Sequence, residues 1–203
     1  MRRLDAAQAC AALLAGDIVA LPTDTVYGVA ASIEHAEAIA RLFLLKDRPT
    51  SVALPMLAAS LEQIESAGIH VTPALRVLAN AFWPGALTIV VAAPEQLARR
   101  LGATGETVGV RVPADAVVRE ILETCGPLAV TSANVHGGSP CESAAQVEVA
   151  FRDHEGLAGV LDGGERRGRV SSVVDVTTTP WRLLREGAIS LSDVLAAARA
   201  ANL

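Results

Sequence analysis

The sequence predicts one mixed α/β domain, and three observations point that way. Short aliphatic runs of strand character alternate with alanine-rich amphipathic segments along all 203 residues, which is the pattern of helices layered on a sheet. Hydrophobic residues make up 51% of the chain and charged residues 19%, enough apolar material for a buried core and too little charge for a disordered polyelectrolyte. No repeat, low-complexity tract or linker interrupts the alternation, so residues 1–203 read as a single domain.

The elements follow in order. Asp5 stands where an N-cap belongs before an alanine-rich helix at about 5–15, and Gly16 stands just past its end. Strands at about 17–21 and 26–31 flank the polar interruption in LPTDTVYG, residues 21–28. An amphipathic helix at about 35–45 delivers Lys46 and Arg48 at its C-terminal end, where Pro49 forbids continuation. A strand at about 52–57 precedes helices at 60–67 and 72–82, with Gly68 after the first and Thr72 capping the second. FWPGALTIVV, residues 82–91, reads as a helix end, a Pro-Gly turn over Trp83 and a buried strand at 86–92, and is assigned a structural role. Strands at 107–112 and 128–131 enclose a helix at 114–124. A helix at 143–151, strands at 158–161, 172–176 and 182–185, and a helix at 191–201 capped by Ser192 complete the chain. Gly163 to Gly168, with three glycines among charged residues, is expected to be a mobile loop.

Composition narrows the function. Seventeen basic against twenty-two acidic residues give a net charge of −5, which argues against a protein that coats polyanions through a broad basic face. Aromatics at 3% cannot supply the stacking platforms of a single-strand binder. The apolar run from Ala86 to Ala93 stops at Pro94, far short of a membrane span. Cys10, Cys125 and Cys141 form no CxxC pair and no metal-ligand cluster, so no metal site is expected, and reduced thiols in a cytoplasm are. Sixteen of the seventeen basic residues are arginine, leaving Lys46 as the only lysine, either because a compact ammonium is needed at that position or by chance survival at an exposed site.

Several segments carry candidate chemistry. Thr23, Asp24 and Thr25 would present hydroxyls and a carboxylate at a sheet edge, although taken alone an ordinary turn satisfying its own backbone explains them better. Lys46 and Arg48 fit either helix-dipole complementarity or a phosphate clamp. In TVGVRVP, residues 107–113, alternation puts Val108, Val110 and Val112 on one face and Thr107, Gly109 and Arg111 on the other. Arg111 would then grip a ligand carboxylate or pair with one of the protein's own acids. LAVTSANVHGGSPCES, residues 128–143, runs from a strand into Ser132 and Asn134 and then a glycine-bearing loop, a form common to ligand crevices of α/β folds, while His136 reads as a solvated loop residue. GRVSSVVD, residues 168–175, and LLREGAIS, residues 183–190, each add a polar anchor to a strand, Ser171 and Arg185. Neither a P-loop nor a GxSxG nucleophile elbow is present.

Read together, LPTDTVYG, KDRP, WPGALT, GVRVP, TSAN, SSVVD and LREG resemble the YrdC family, in its order and spacing and over nearly the whole chain, and specifically its threonylcarbamoyl-AMP synthase branch in single-domain form. The resemblance implies an open, twisted mixed sheet with helices on its outer faces and a concave substrate cavity. It also implies joining of L-threonine, bicarbonate and ATP into threonylcarbamoyl-AMP and pyrophosphate. The product is handed to a separate tRNA threonylcarbamoyl transferase, with at most a weak tRNA contact, for modification of the adenosine beside the anticodon. Thr25, Arg111, Ser132 and Ser171 match threonine-holding positions, and Lys46, Arg48, Thr107, Asn134, Ser143 and Arg185 match ATP-holding ones, with Lys46 and Arg48 nearest the chemistry. Magnesium is expected to be held mainly by the nucleotide. The chain departs from the common pattern at Val52-Ala53-Leu54 and at Leu57, where Asn-Pro-Leu and a histidine are frequent. The competing readings are an RNA-binding module of the same fold and a carbamoyl-adenylate-forming paralogue with another acceptor.

Overall fold

The computed structural model describes residues 1–47, 53–134 and 138–201. Among the described residues, ten strands form one mixed sheet: β1 (Arg3–Leu4), β2 (Ile18–Leu21), β3 (Gly28–Ser32), β4 (Met56–Leu57), β5 (Leu87–Ala92), β6 (Thr107–Arg111), β7 (Leu128–Ser132), β8 (Leu157–Leu161), β9 (Ser172–Asp175) and β10 (Arg182–Arg185). Their spatial order is β1-β8-β2-β3-β7-β4-β6-β5-β9-β10, and the two end strands do not pair, so the sheet is open. The parallel pairs are β1·β8, β2·β8, β4·β6 and β5·β9, and the remaining neighbours run antiparallel.

Helices cover both faces, which is why the strands read as nearly continuous apolar runs. Period-two alternation divides the core: Ile18, Ala20, Val29 and Ala31 face one cluster, and Val19, Leu21 and Ala30 face the other. The second cluster is closed by α1 (Ala6–Leu14) and α6 (Ala116–Cys125) through Ala9, Leu13, Val118, Ile121 and Leu122. The first is closed by α2 (Ala36–Leu45), α3 (Leu61–Ser66), α4 (Pro73–Phe82), α7 (Ala144–Ala150) and α8 (Leu191–Ala200), through side chains such as Leu42, Ile64, Leu75, Val147 and Val194. Each fully buried leucine or isoleucine contributes about 1.5–3 kcal/mol. Among the described residues no helix is long and apolar enough to cross a membrane.

The helix ends follow local chemistry. Asp5 accepts from the Gln8 amide at 2.8 Å while Gln8 reaches back to the Asp5 amide at 3.2 Å, a capping box. Thr72 caps α4, and Gly16 and Gly68 follow their helices at φ of +85° and +86°, a conformation costly for residues with a Cβ. The last helix is capped by Ser190, not Ser192, because the Ser190 hydroxyl accepts from the Asp193 amide at 3.2 Å. Two elements are additions to the sequence reading. β1 exists through its parallel pairing with Val160 and Leu161, and α5 (Glu95–Arg100) is six residues long behind Pro94.

Candidate active site

The cleft that gathers the chemistry opens where β2 gives way to β3, beside the C-terminal ends of β6 and β7. It encloses about 140 Å³ and is lined by Thr25, Thr88, Arg111, Ser132, Ser171 and Arg185 together with apolar walls that include Leu57 and Val170. One ordered water needs about 10–15 Å³ on this measure, so the space is on the scale of a small solute.

Each wall has a local cause. Pro22 ends the β2 run, and the Thr23 hydroxyl donates to the Val26 carbonyl at 2.6 Å while accepting from the Thr25 and Val26 amides. Thr23 therefore satisfies the turn itself. Since its proton is committed, the 2.9 Å contact between the two hydroxyls has Thr25 as donor, which turns the Thr25 oxygen toward Arg111 Nη1 at 3.4 Å.

Arg111, at the end of β6, is 5% exposed. Its Nε donates to the Gly85 carbonyl at 2.8 Å and its Nη2 to Asp24 Oδ1 at 2.6 Å. A buried pair with one of the protein's own acids is thus present. With Thr25 also engaged, two of the five guanidinium N–H groups are left over for a ligand. Burial pulls the Arg111 pKa below its ordinary value, and Asp24 opposes that shift.

Opposite stands a chain of donors. Arg185 on β10 donates through Nε to the Ser171 carbonyl at 2.9 Å and through Nη2 to the Ser171 hydroxyl at 2.8 Å, and that hydroxyl lies 3.0 Å from Thr88 Oγ1. Burial lowers the Arg185 pKa, and the nearby positive charge of Arg111 lowers it further. Thr88 is a wall residue that the sequence reading assigned to structure. A Cβ at Gly109 would lie 3.0 Å from Thr88 Cγ2, so the missing side chain there leaves room for the Thr88 methyl and lets its hydroxyl face Ser171. The legible signal was a threonine between Leu87 and Ile89 in a buried strand, where a hydroxyl must find a partner.

The lone lysine sits beside the cleft. Lys46, 4% exposed, caps the C-terminal end of α2 and donates to the Ser132 carbonyl at 2.7 Å, to Asn134 Oδ1 at 2.8 Å and to the Asn134 carbonyl. The Ser132 hydroxyl donates to the same Asn134 Oδ1 at 2.6 Å. Lys46, Ser132 and Asn134 thus form one cluster at the end of β7, which is further held by the Ala133 amide on the Tyr27 carbonyl at 2.7 Å.

The other predicted site residues are placed differently. Thr107 is at the opposite end of β6 from Arg111, roughly 13 Å away at about 3.3 Å per residue, and does not line the cleft. Ser143 is the N-cap of α7, accepting from the Gln146 amide at 3.2 Å. Arg48, like Val52 and His136, lies outside the described residues. The segment from Gly163 to Gly168, expected to be a mobile loop, is held at several points. The Tyr27 phenol donates to the Gly164 carbonyl at 2.8 Å, Arg166 Nη2 reaches Asp115 at 2.9 Å, and the Gly168 amide meets the Thr25 carbonyl at 3.0 Å. Gly168 is required there, since a Cβ would fall 2.8 Å from the Asp24 carbonyl oxygen.

Comparison with known proteins bears on this geometry. The sequence model of the Sua5/YciO/YrdC family, described as "Telomere recombination", matches residues 11–187. The threonylcarbamoyl-AMP synthase of Pyrococcus abyssi is 36% identical over 181 residues, covering 88% of this chain and 53% of that protein. The threonylcarbamoyl-AMP synthase of Vibrio parahaemolyticus is 32% identical over 183 residues, 87% of this chain and 95% of that protein. The crystal structure of P. abyssi Sua5 complexed with L-threonine superposes with a TM-score of 0.88 at 34% identity, covering 97% of this chain and 58% of that one. This chain therefore spans somewhat over half of the longer archaeal protein and nearly all of the Vibrio one.

Proposed function

The chain belongs to the Sua5/YciO/YrdC family, and on that premise we propose that it is an L-threonylcarbamoyladenylate synthase, a nucleotidyltransferase that joins L-threonine, bicarbonate and ATP with release of pyrophosphate. The observation that carries this reading is the convergence of Thr25, Arg111, Ser132 and Ser171 from four separate segments on one cleft. They are the four positions that the family resemblance assigns to threonine. The structure of a relative bound to L-threonine supports it, as do the names of the curated relatives. The product serves tRNA threonylcarbamoyladenosine synthesis through a separate transferase, and the setting is the cytoplasm.

The mechanism needs no covalent enzyme intermediate. The neutral threonine amine attacks carbon dioxide or bicarbonate to give a carbamate. A carbamate oxygen then bonds to the α-phosphorus of ATP while the bridging P–O bond breaks and pyrophosphate departs. Rate comes from placement and from charge stabilisation. Arg111 takes the threonine carboxylate, the hydroxyls of Thr25, Ser132 and Ser171 orient its amine and hydroxyl, and Leu57 supplies an apolar wall where relatives often carry histidine. Lys46, Asn134 and Arg185 are assigned to the phosphates on the family resemblance, as is Arg48, and Thr107 and Ser143 remain proposed nucleotide contacts. Among the described residues no cluster of three or more His, Cys, Asp or Glu side chains forms a cation cage. Magnesium is therefore proposed to arrive on the ATP phosphates.

The test is pyrophosphate release by the purified chain, with each of the three substrates omitted in turn. Release that needs all three is the expected result. Release without threonine would point to another acceptor, and intact ATP binding with no release would favour a binding module. Within the same assay, Thr88→Val removes one hydroxyl at constant shape and is expected to raise the KM for threonine about fivefold with little change in kcat, the loss of one neutral hydrogen bond.

A further inference from the structure

Among the described residues that line the cleft there are two guanidinium groups, Arg111 and Arg185, and no carboxylate. Free threonine at neutral pH carries a carboxylate and an ammonium. Arg111 suits the first, but the second has no anionic partner. Asp24 is committed to Arg111 at 2.6 Å and is not part of the lining. The charges on neighbouring elements add to the imbalance. Lys46 at the end of α2 lies behind the Ser132 carbonyl, and β10 brings Arg185. The Tyr27 phenol at the entry to β3 is turned away, onto Gly163 and Gly164. Burial and then the positive charge of Arg111 already lower the Arg185 pKa, so positive charge is disfavoured here.

We propose that the cleft binds threonine with its amine neutral, so that binding itself expels the ammonium proton and exposes the nitrogen lone pair to carbon dioxide or bicarbonate. This rests on the reading of the cleft as the threonine site of a synthase. An ammonium has no lone pair and cannot form the N–C bond. The neutral amine can, by R–NH₂ + CO₂ → R–NH–COO⁻ + H⁺, or with bicarbonate by R–NH₂ + HCO₃⁻ → R–NH–COO⁻ + H₂O. In the first, nitrogen donates its pair to carbon, a C=O π pair moves to oxygen, and the amine proton leaves to solvent. The resulting carbamate carries a second negative charge, which the second guanidinium accepts in place of the rejected ammonium.

The test is calorimetric titration of the whole chain with L-threonine at pH 7.5, without bicarbonate or ATP, in two buffers of different ionisation enthalpy. The expected result is release of about one proton per threonine bound, with affinity rising about tenfold per pH unit between pH 7 and 8. The second probe is (R)-3-hydroxybutyrate, which keeps the carboxylate and hydroxyl and lacks the amine. It is expected to bind at least as tightly as threonine with no proton release. A binding enthalpy independent of buffer, with threonine the tighter ligand, would overturn the inference and leave the synthase reading intact. Absence of threonine binding would overturn both.

Discussion

Replacing Arg111 by lysine is expected to raise the KM for L-threonine about 10²-fold while the protein still folds. The guanidinium holds the Gly85 carbonyl, Asp24 and Thr25 from three directions at once, which fixes its remaining edge toward the cleft. An ammonium on a flexible stem keeps the charge opposite Asp24 but cannot span all three or offer a paired edge to a carboxylate. Hydrogen bonds to charged groups contribute about 1.5–3 kcal/mol each, and two lost at the substrate exceed the 10²-fold expectation unless the ammonium recovers part. Arg111→Ala should be worse in a different way, since it leaves Asp24, 15% exposed, without its partner. Comparing melting temperature with KM in the two variants separates the grip on substrate from support of the fold. A lysine variant with unchanged KM would remove Arg111 from the threonine site.

Lys46→Ala is expected to lower pyrophosphate release by about 10²–10³-fold, the range typical for removal of a preorganised charge at a developing oxyanion. An ammonium has three N–H groups, and in this state the Ser132 carbonyl, the Asn134 carbonyl and Asn134 Oδ1 are among the acceptors they face. To meet a phosphate, Lys46 must exchange at least one of them, so it also connects nucleotide binding to the Ser132–Asn134 end of β7. Lys46→Arg preserves charge but brings a planar fork into a position that is 4% exposed, and it should not restore turnover. If the alanine variant loses stability in proportion to activity, the lysine is a strut for β7 and not a phosphate contact.

Much of this architecture is visible in the chain because the forces are local. Valines at 108 and 110 face the core while Arg111 faces the cleft, as period-two alternation requires, and Asp5, Thr72 and Gly16 mark helix ends where capping chemistry puts them. What escapes is non-local or too short. β1 has two residues and is defined only by its partner more than 150 positions away, so nothing in Arg3–Leu4 announces a strand. Ser190 and Ser192 are equally good caps by residue type, and only the position of Asp193 three residues after Ser190 separates them. The Arg111–Asp24 pair joins residues 87 positions apart, so both partners can be suspected from the sequence but their meeting cannot. Thr88 was hidden because the turn at Pro84 and Gly85 made the whole segment look structural. The glycine-rich loop looked free because its anchors, Tyr27, Asp115 and Thr25, all lie elsewhere in the chain.

In the proposed mechanism this cleft builds a carbamate on the threonine amine before adenylation. That step is tested most directly by mass spectrometry of the nucleotide product formed from ATP, L-threonine and ¹³C-labelled bicarbonate. The expected product is an adenylate that contains threonine and one labelled carbon. An adenylate of threonine without the label, activated at its own carboxylate, would contradict it.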